Sequence, residues 1–538
     1  MTDPLIVPVL AVASYTKVVL TAAVVIAWGR WSTVVDKDAA FYHQERRIWN
    51  AAQMGAGILA IVALLFIPLF WIGLPLALVL IGGAATAYVV TRNQSVPEEA
   101  RWRFDMETFR QALQARQSDK AARDATLRFI APPGTDIKAV PLAEDSEYPA
   151  HLALEDAVVP GLERHGQHVD IIPSGNRYEI VINVDGTDHA LSKLPRSSGH
   201  MMLEYLAAKC GIAEIDDPTP QRGTCRIDAG EHGNHTLQLR TTPGKEGARC
   251  RVVIDPAKQV SIPFNEMGLL EQQAATVKQL VLSGRGTVLV AGPPGQGRTT
   301  TMYAIVGEHD AYTQDLHSIE PIIERDIDGV RQHEVAPADT EAAVTKTLLQ
   351  DPAAILVAAV SDAKTAQAIA RAGAEGKRIY AGIPANDILG AIKTWLKAVN
   401  DPALVGQSLA GVVCQRLVRK LCTVCRQSFE PHPEDLKRMG LPPERVKKLY
   451  KSSGQVVVKD KPMTCPACHG SGFQGRAGAF EILVLEEAGK SLVAAGKLDD
   501  LKKYMRLQKV RSIAECALAR VIDGTTTLNE VKKALGKG

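Results

Sequence analysis

Residues 287–300 read Thr-Val-Leu-Val-Ala-Gly-Pro-Pro-Gly-Gln-Gly-Arg-Thr-Thr. The first five are an apolar run suited to a buried strand, and a helical stretch follows the last two. Between them stands a loop whose glycines let backbone N–H groups curl around an anion at a helix N-terminus. Strand, glycine loop and helix in that order are the context of a phosphate-binding P-loop. The candidate nucleotide-binding residues are therefore Gly292, Pro293, Pro294, Gly295, Gln296, Gly297, Arg298, Thr299 and Thr300. A Gly/Pro-rich connection between strand and helix can also be only a connection. Arg298 stands where a P-loop carries lysine, which exchanges a compact ammonium for a larger planar fork.

Outward from this stretch the α/β rhythm continues. Residues 353–360 (AAILVAAV) and 378–383 (RIYAGI) are two further buried-strand patterns with helical stretches around them, so a parallel sheet covered by helices is expected. Upstream, residues 176–186 alternate apolar and polar and end at Asp185-Gly186, a strand running into a turn. Residues 203–207 read as helix, and 237–239 and 251–254 as strands, so a small α+β domain is expected at 151–260. Downstream, Cys422-x2-Cys425 and Cys465-x2-Cys468, 39 residues apart, form paired knuckles suited to a closed four-thiolate zinc site. Without metal the same four would simply be reduced thiols.

The composition of the 538 residues (46% hydrophobic, 22% charged, net charge +3) excludes disorder, and nine cysteines do not make a disulfide scaffold. It hides an uncharged run at 55–91, nearly twice the length of one membrane span. Gly73, Leu74 and Pro75 interrupt that run, which suggests two spans joined by a tight turn there. Residues 7–28, apolar apart from Lys17, are a third candidate. Arg30, Lys37, Arg46 and Arg47 lie between them, and Arg92, Arg101 and Arg103 follow, which places both flanks and the body of the chain in the cytoplasm. Residues 1–93 are thus expected to be a membrane region, and 94–150 a juxtamembrane helix (98–123) and a Pro-rich linker. No basic patch interleaved with aromatics points to nucleic acid.

The order of landmarks across 151–535 resembles the type II secretion/type IV pilus assembly ATPase family. These are Asp185-Gly186, Pro220-Gln-Arg-Gly223, Met267-Gly-Leu269, Thr299-Thr-Thr-Met-Tyr303 and Ser318-Ile-Glu320. Leu349-Gln-Asp-Pro352, Asn386-Asp387, Leu409-Ala-Gly-Val-Val413 and Gln415–Cys422 follow, then Gly475-Arg-Ala-Gly478, Phe480-Glu481 and Asp523–Leu528. The resemblance implies a PAS-like α+β domain (151–260) and a RecA-like P-loop domain (261–538). The latter would carry a four-cysteine zinc insertion at about 414–475 and a helical tail. It also implies ATP, Mg2+ and Zn2+ as cofactors, a homo- or hetero-oligomer, usually a hexamer, and platform proteins of the bacterial inner membrane as partners, with an active ATPase of the same family among the candidates.

The departures fall on the chemistry. The P-loop lysine is Arg298, and the acidic box Ile-Glu-Asp-Pro has lost its aspartate, because Glu320 is followed directly by Pro321. The Walker B Gly-Glu is Ala358-Ala359, and the arginine two residues on is Ser361. The histidine of the Leu-His-Thr-Asn-Asp box is replaced within Ile383–Asp387, and the small domain's nucleotide-reaching arginines fall on Val181 and Asn183. Loss of a general base alone costs about 10²–10⁴ in rate. The resemblance therefore points to a membrane-anchored member that binds nucleotide with impaired hydrolysis and serves as a structural or regulatory subunit. The alternatives are an active ATPase using Glu320 or Glu324, and a zinc-stabilised scaffold that binds no nucleotide.

Overall fold

A computed structural model describes residues 15–42, 44–67, 70–96, 102, 126–131, 139–438, 441, 443–444 and 446–536. It divides into two units, 1–116 and 117–538. In the first, three helices, Tyr15–Phe41, Arg46–Phe66 and Phe70–Ser95, are each long and apolar enough to cross a membrane. The break between the second and third comes at Ile67, not at Gly73–Pro75 as the sequence suggested. Ile67 precedes Pro68 and takes an extended conformation (φ −76°, ψ 119°), as a residue before proline must. Pro75 lies inside the third helix near its start and forfeits one intrahelical bond. Gly73 is a close-packing position, since a Cβ there would stand 2.8 Å from the Ala63 carbonyl oxygen.

The first helix also runs well beyond the expected 7–28, carrying Arg30 and Lys37 within it. It is tied to the third by Asp38, which accepts from the Tyr88 hydroxyl (2.6 Å) and pairs with buried Arg92 (2.8 Å). The expected juxtamembrane helix lies, apart from Trp102, outside the described residues.

The second unit opens with a seven-stranded, wholly antiparallel sheet. Its order is Arg128–Ile130, Arg222–Asp228, Asn234–Thr242, Arg249–Ile254, His168–Ser174, Arg177–Val184, Thr187–Pro195. Helices Tyr148–Glu163 and Arg196–Cys210 pack with it around Leu154, Val158, Leu203, Leu206, Ile171 and Ile180. The expected turn at Asp185 (φ 52°) and Gly186 (φ 78°) joins Arg177–Val184 to Thr187–Pro195 as a hairpin. The sheet reaches back to Arg128–Ile130, N-terminal to the start read at 151, through antiparallel pairing with Arg222–Asp228.

The second sheet is also seven-stranded, ordered Val330–Glu334, Leu316–Glu320, Ala354–Val357, Arg378–Ile383, Thr287–Ala291, Leu409–Leu421, Phe473–Val484. All neighbours are parallel except the last pair. Thr287–Ala291 and Arg378–Ile383 are buried at every position, which is why they read as unbroken apolar runs rather than alternation. Leu316–Glu320, also fully buried, was not legible as a strand because His317, Ser318 and Glu320 break the apolar run. An antiparallel pair, Gln427–Phe429 with Leu449–Lys451, connected through helix Pro433–Arg438, and a hairpin, Gln455–Val458 with Lys461–Thr464, make the cysteine-bearing insertion. Four short helices, Glu487–Ala494, Leu498–Leu507, Ile513–Ile522 and Leu528–Ala534, form the tail.

Candidate nucleotide and metal sites

The glycine loop leaves the C-terminal end of interior strand Thr287–Ala291, and helix Arg298–Val306 starts behind it. Gly295 (φ 74°) and Gly297 (φ 78°) adopt the left-handed backbone that side chains avoid. At Gly297 a Cβ would also stand 3.1 Å from the Gln415 amide nitrogen. The loop is propped from the neighbouring strand. The Gln415 side chain donates to the Gln296 carbonyl and accepts from the Thr301 hydroxyl, and the Leu417 N–H donates to Gln296 Oε1 (2.8 Å). Such support holds the loop's remaining N–H groups ready for an anion.

Beside the loop lies a cavity of about 500 Å³ reached by Gly297, Thr300 and Thr301, with Lys258, Lys420 and Arg476 on its walls. Burial draws the Arg476 guanidinium below its ordinary pKa, and Asp185 opposes that shift. Asp185 also accepts from the Gly475 N–H (2.8 Å), so the small domain forms part of the cavity wall. Lys420 and Arg476 fall within the family landmarks Gln415–Cys422 and Gly475–Gly478, where the sequence assigns them no site role. No local pattern in the sequence marks them, because both reach the cavity through strand pairing between distant segments. The cavity touches the glycine loop at Gly297 and is lined by three cations together with Asp185 and Glu266, so it adjoins the loop's anion-binding end.

Arg298 sits at the helix start, half-buried, and does not line this cavity. Burial alone lowers its pKa. Among the described residues it has no ion-pair partner, which leaves its charge for an anion. Thr299 follows it, and the cavity does not reach Gly292–Gln296 either.

Neither candidate acid is free. Glu320 is only 1% exposed at the end of its strand, accepting from the Tyr303 hydroxyl (2.5 Å) and the Ser318 hydroxyl (2.6 Å). Burial, and then that bond to Glu320, raises the Tyr303 pKa. Glu324 pairs with Arg240 of the small domain (2.6 Å). Arg240 stands on strand Asn234–Thr242, away from the strand before Asp185-Gly186 on which the family resemblance places the reaching arginines, at Val181 and Asn183.

Strand Ala354–Val357 runs into Ala358 and Ala359, which present methyl groups. The Ala358 carbonyl stands 2.1 Å from where a Cβ on Gly382 would be, so the two backbones are in close contact here. In the former histidine box Asp387 caps helix Ile388–Val399 through the Gly390 N–H (2.7 Å), and Asn386 accepts from Arg416 (2.8 Å).

The four knuckle cysteines are brought together, all buried, with their Sγ atoms within 4.8 Å of one another. Cys422 and Cys465 are 3.9 Å apart, and Cys425 and Cys468 3.6 Å. A tetrahedral zinc–thiolate site with bonds of about 2.3 Å has sulfur–sulfur edges near 3.8 Å, so the cluster fits that ion. The Gly472 N–H donates to the Cys468 sulfur (3.2 Å), the kind of bond that supports a metal-bound thiolate.

A largely parallel sheet with a glycine loop at the end of an interior strand, followed directly by a helix, is the architecture of the P-loop class. Residues 144–533 match the family model described as "Type II/IV secretion system protein", and the chain belongs to that family. It is 30% identical over 363 residues to the type II secretion system ATPase E of Vibrio cholerae, covering 66% of this chain and 69% of that one. It is 28% identical over 371 residues to the type IV pilus assembly ATPase PilB of Thermus thermophilus, covering 68% of this chain and 40% of that longer protein. In fold it is similar to the ATPase DotB of Legionella pneumophila, with a TM-score of 0.51 and 12% identity. That match covers 72% of this chain and 96% of the other.

Proposed function

We propose that this chain binds ATP or ADP without efficient hydrolysis and acts as a structural or regulatory subunit of an inner-membrane secretion or pilus machine. The observation that carries this is the pair Ala358-Ala359 at the end of its strand. No carboxylate stands there to polarise water, while Glu320 and Glu324 are already engaged by Tyr303, Ser318 and Arg240. In this reading the phosphates lie on the glycine loop at Gly297 with the Arg298 guanidinium as their counter-charge, and the adjoining cavity lined by Lys258, Lys420 and Arg476 takes the rest of the nucleotide. The Thr299 hydroxyl would face a magnesium ion, which supplies charge neutralisation between phosphates. Cys422, Cys425, Cys465 and Cys468 would hold a structural zinc with no open position. The three apolar helices would anchor the chain in the membrane, and the relatives' printed roles in secretion and pilus assembly suggest its partners.

The test is nucleotide binding and phosphate release measured together on the detergent-solubilised full chain. Saturable ATP and ADP binding that Arg298→Ala abolishes, with phosphate release at background, is the expected result. Turnover of about one per second or more, lost on Arg298→Ala, would establish an active ATPase instead. Absence of binding would leave the zinc-stabilised scaffold.

A further inference from the structure

Two thiols outside the knuckles meet in the small domain. Cys210 is the last residue of helix Arg196–Cys210, Cys225 lies in strand Arg222–Asp228, and their sulfurs are 3.3 Å apart. Among the described residues no other cysteine outside the knuckles has a second sulfur so close. The backbone dictates the meeting. A strand turns alternate residues to one face, so Gly223 and Cys225 share the face that the helix end covers. At Gly223 a Cβ would stand 2.2 Å from the Cys210 carbonyl oxygen and 2.9 Å from the Cys210 Cβ, so only glycine admits the helix end this closely. Two residues on, Cys225 meets the Cys210 side chain, and left-handed Gly211 (φ 77°) turns the chain away behind it. Sulfurs 3.3 Å apart touch without bonding, and a closing of about 1.2 Å separates them from a disulfide.

The pair is open to small molecules. Cys210 and Cys225 keep 7% and 9% of their surface exposed. Cys225 lines a cavity of about 370 Å³ with Lys209, Thr224, Arg226 and Thr236. A peroxide molecule, about the volume of two waters (~60 Å³), fits there easily. Lys209 and Arg226 bring positive charge to that cavity, the surroundings in which thiols become reactive. The Cys210 sulfur, and then burial, hold the Cys225 thiol well above its ordinary pKa, so Cys225 keeps its proton until its partner has reacted. We propose that Cys210 and Cys225 are a reversible redox site, a dithiol at rest that hydrogen peroxide closes to a disulfide. The Cys210 sulfur attacks one peroxide oxygen, the O–O bond breaks, and the departing hydroxide takes the Cys210 proton and leaves as water. The Cys225 sulfur then attacks the sulfenic sulfur of Cys210, the S–O bond breaks, and that hydroxide takes the Cys225 proton. Two thiols give up two electrons, and one peroxide becomes two waters. Exchange with an external dithiol reopens the bond. In the cytoplasm, where the proposed membrane topology puts this domain, such bonds are transient and serve as sensors. The bond closes residues 211–224 into a loop and staples the helix end to the strand whose first residue, Arg222, pairs with Glu334 of the P-loop domain.

The test treats the detergent-solubilised full chain with hydrogen peroxide, blocks the remaining thiols under denaturing conditions and maps the peptides by mass spectrometry. The expected result is a peptide pair linked through Cys210 and Cys225, two hydrogens lighter than the reduced pair and restored by dithiothreitol. Mapping assigns each thiol separately, so oxidation of the knuckles is not mistaken for closure of this pair. In Cys225→Ala the reaction should stop at the sulfenic acid, which dimedone traps at Cys210. Amide hydrogen exchange across residues 211–228 should slow about tenfold or more in the oxidised native chain and not in that variant. Should the variant fail to fold, the oxidised native chain is compared with the same chain after dithiothreitol. Recovery of Cys210 and Cys225 as free thiols, or as sulfinic acids without a link, overturns the proposal. So does a link that leaves the exchange unchanged.

Discussion

At the scale of single residues, the chemistry of this site is set by neighbours rather than by residue type. Glu320 survives from the acidic box, but the Tyr303 and Ser318 hydroxyls spend its lone pairs. Glu481 is a different case. It is buried on the strand paired with Leu409–Leu421 and accepts from the Ile388 N–H (3.2 Å). Burial raises its pKa from 4.5 to about 7, the Ile388 bond opposes the rise and Asp387 adds to it. The folded chain therefore keeps this proton to higher pH than the unfolded chain does. Its contribution to stability is intact below pH 4.5 and falls as pH climbs toward about 7, by roughly 3 kcal/mol in all. Glu481→Gln keeps the acceptor for Ile388 and loses the charge. Denaturant titrations should show the variant more stable than the native chain at pH 8 and equal to it near pH 4.5. An unchanged pH slope would show that another group titrates.

At the scale of elements, strand Leu409–Leu421 joins three functions. Its middle props the glycine loop through Gln415 and Leu417, and its end delivers Cys422 to the cysteine cluster. On the way Arg419 makes a two-pronged bond to Glu530 of the last helix (2.9 and 2.7 Å), and the Leu421 N–H donates to Thr525 (2.7 Å). Disorder at the cysteines should therefore reach the tail. Elemental analysis should find about one zinc per chain, and chelation or Cys465→Ser should release it and expose the Leu528–Ala534 helix to hydrogen exchange. Full protection of that helix after metal loss would separate the two regions. The Pro68 break belongs to this scale too. A proline forces extension on the residue before it, whereas a glycine in a helix is equally a place where two helices touch, and Gly73 proved to be the latter.

At the scale of the whole molecule, ion pairs join the small domain to the P-loop domain, among them Arg240 with Glu324 (2.6 Å) and Arg222 with Glu334 (2.8 Å). The first is the more buried, and a double-mutant cycle on Arg240→Ala and Glu324→Ala should return a coupling of about 1 kcal/mol. If nucleotide phosphate competes for Arg240, saturating ATP should reduce that coupling. A coupling near zero in both conditions would remove any role for the pair in domain association.

The glycine loop, the apolar run and the two cysteine pairs were legible without a structure because each is local. Backbone freedom, unbroken hydrophobicity and ligand spacing are written in consecutive residues. The missing carboxylate at Ala358-Ala359 and the Arg298 exchange were legible for the same reason. What tertiary structure decided is which of the surviving groups are free. Tyr303 reaches Glu320, Arg240 reaches Glu324, and Lys420 and Arg476 reach the cavity only because distant segments are laid side by side in register. A hydrogen bond or ion pair depends on a separation of about 3 Å in space. Separation along the chain leaves that undetermined until the sheet is built.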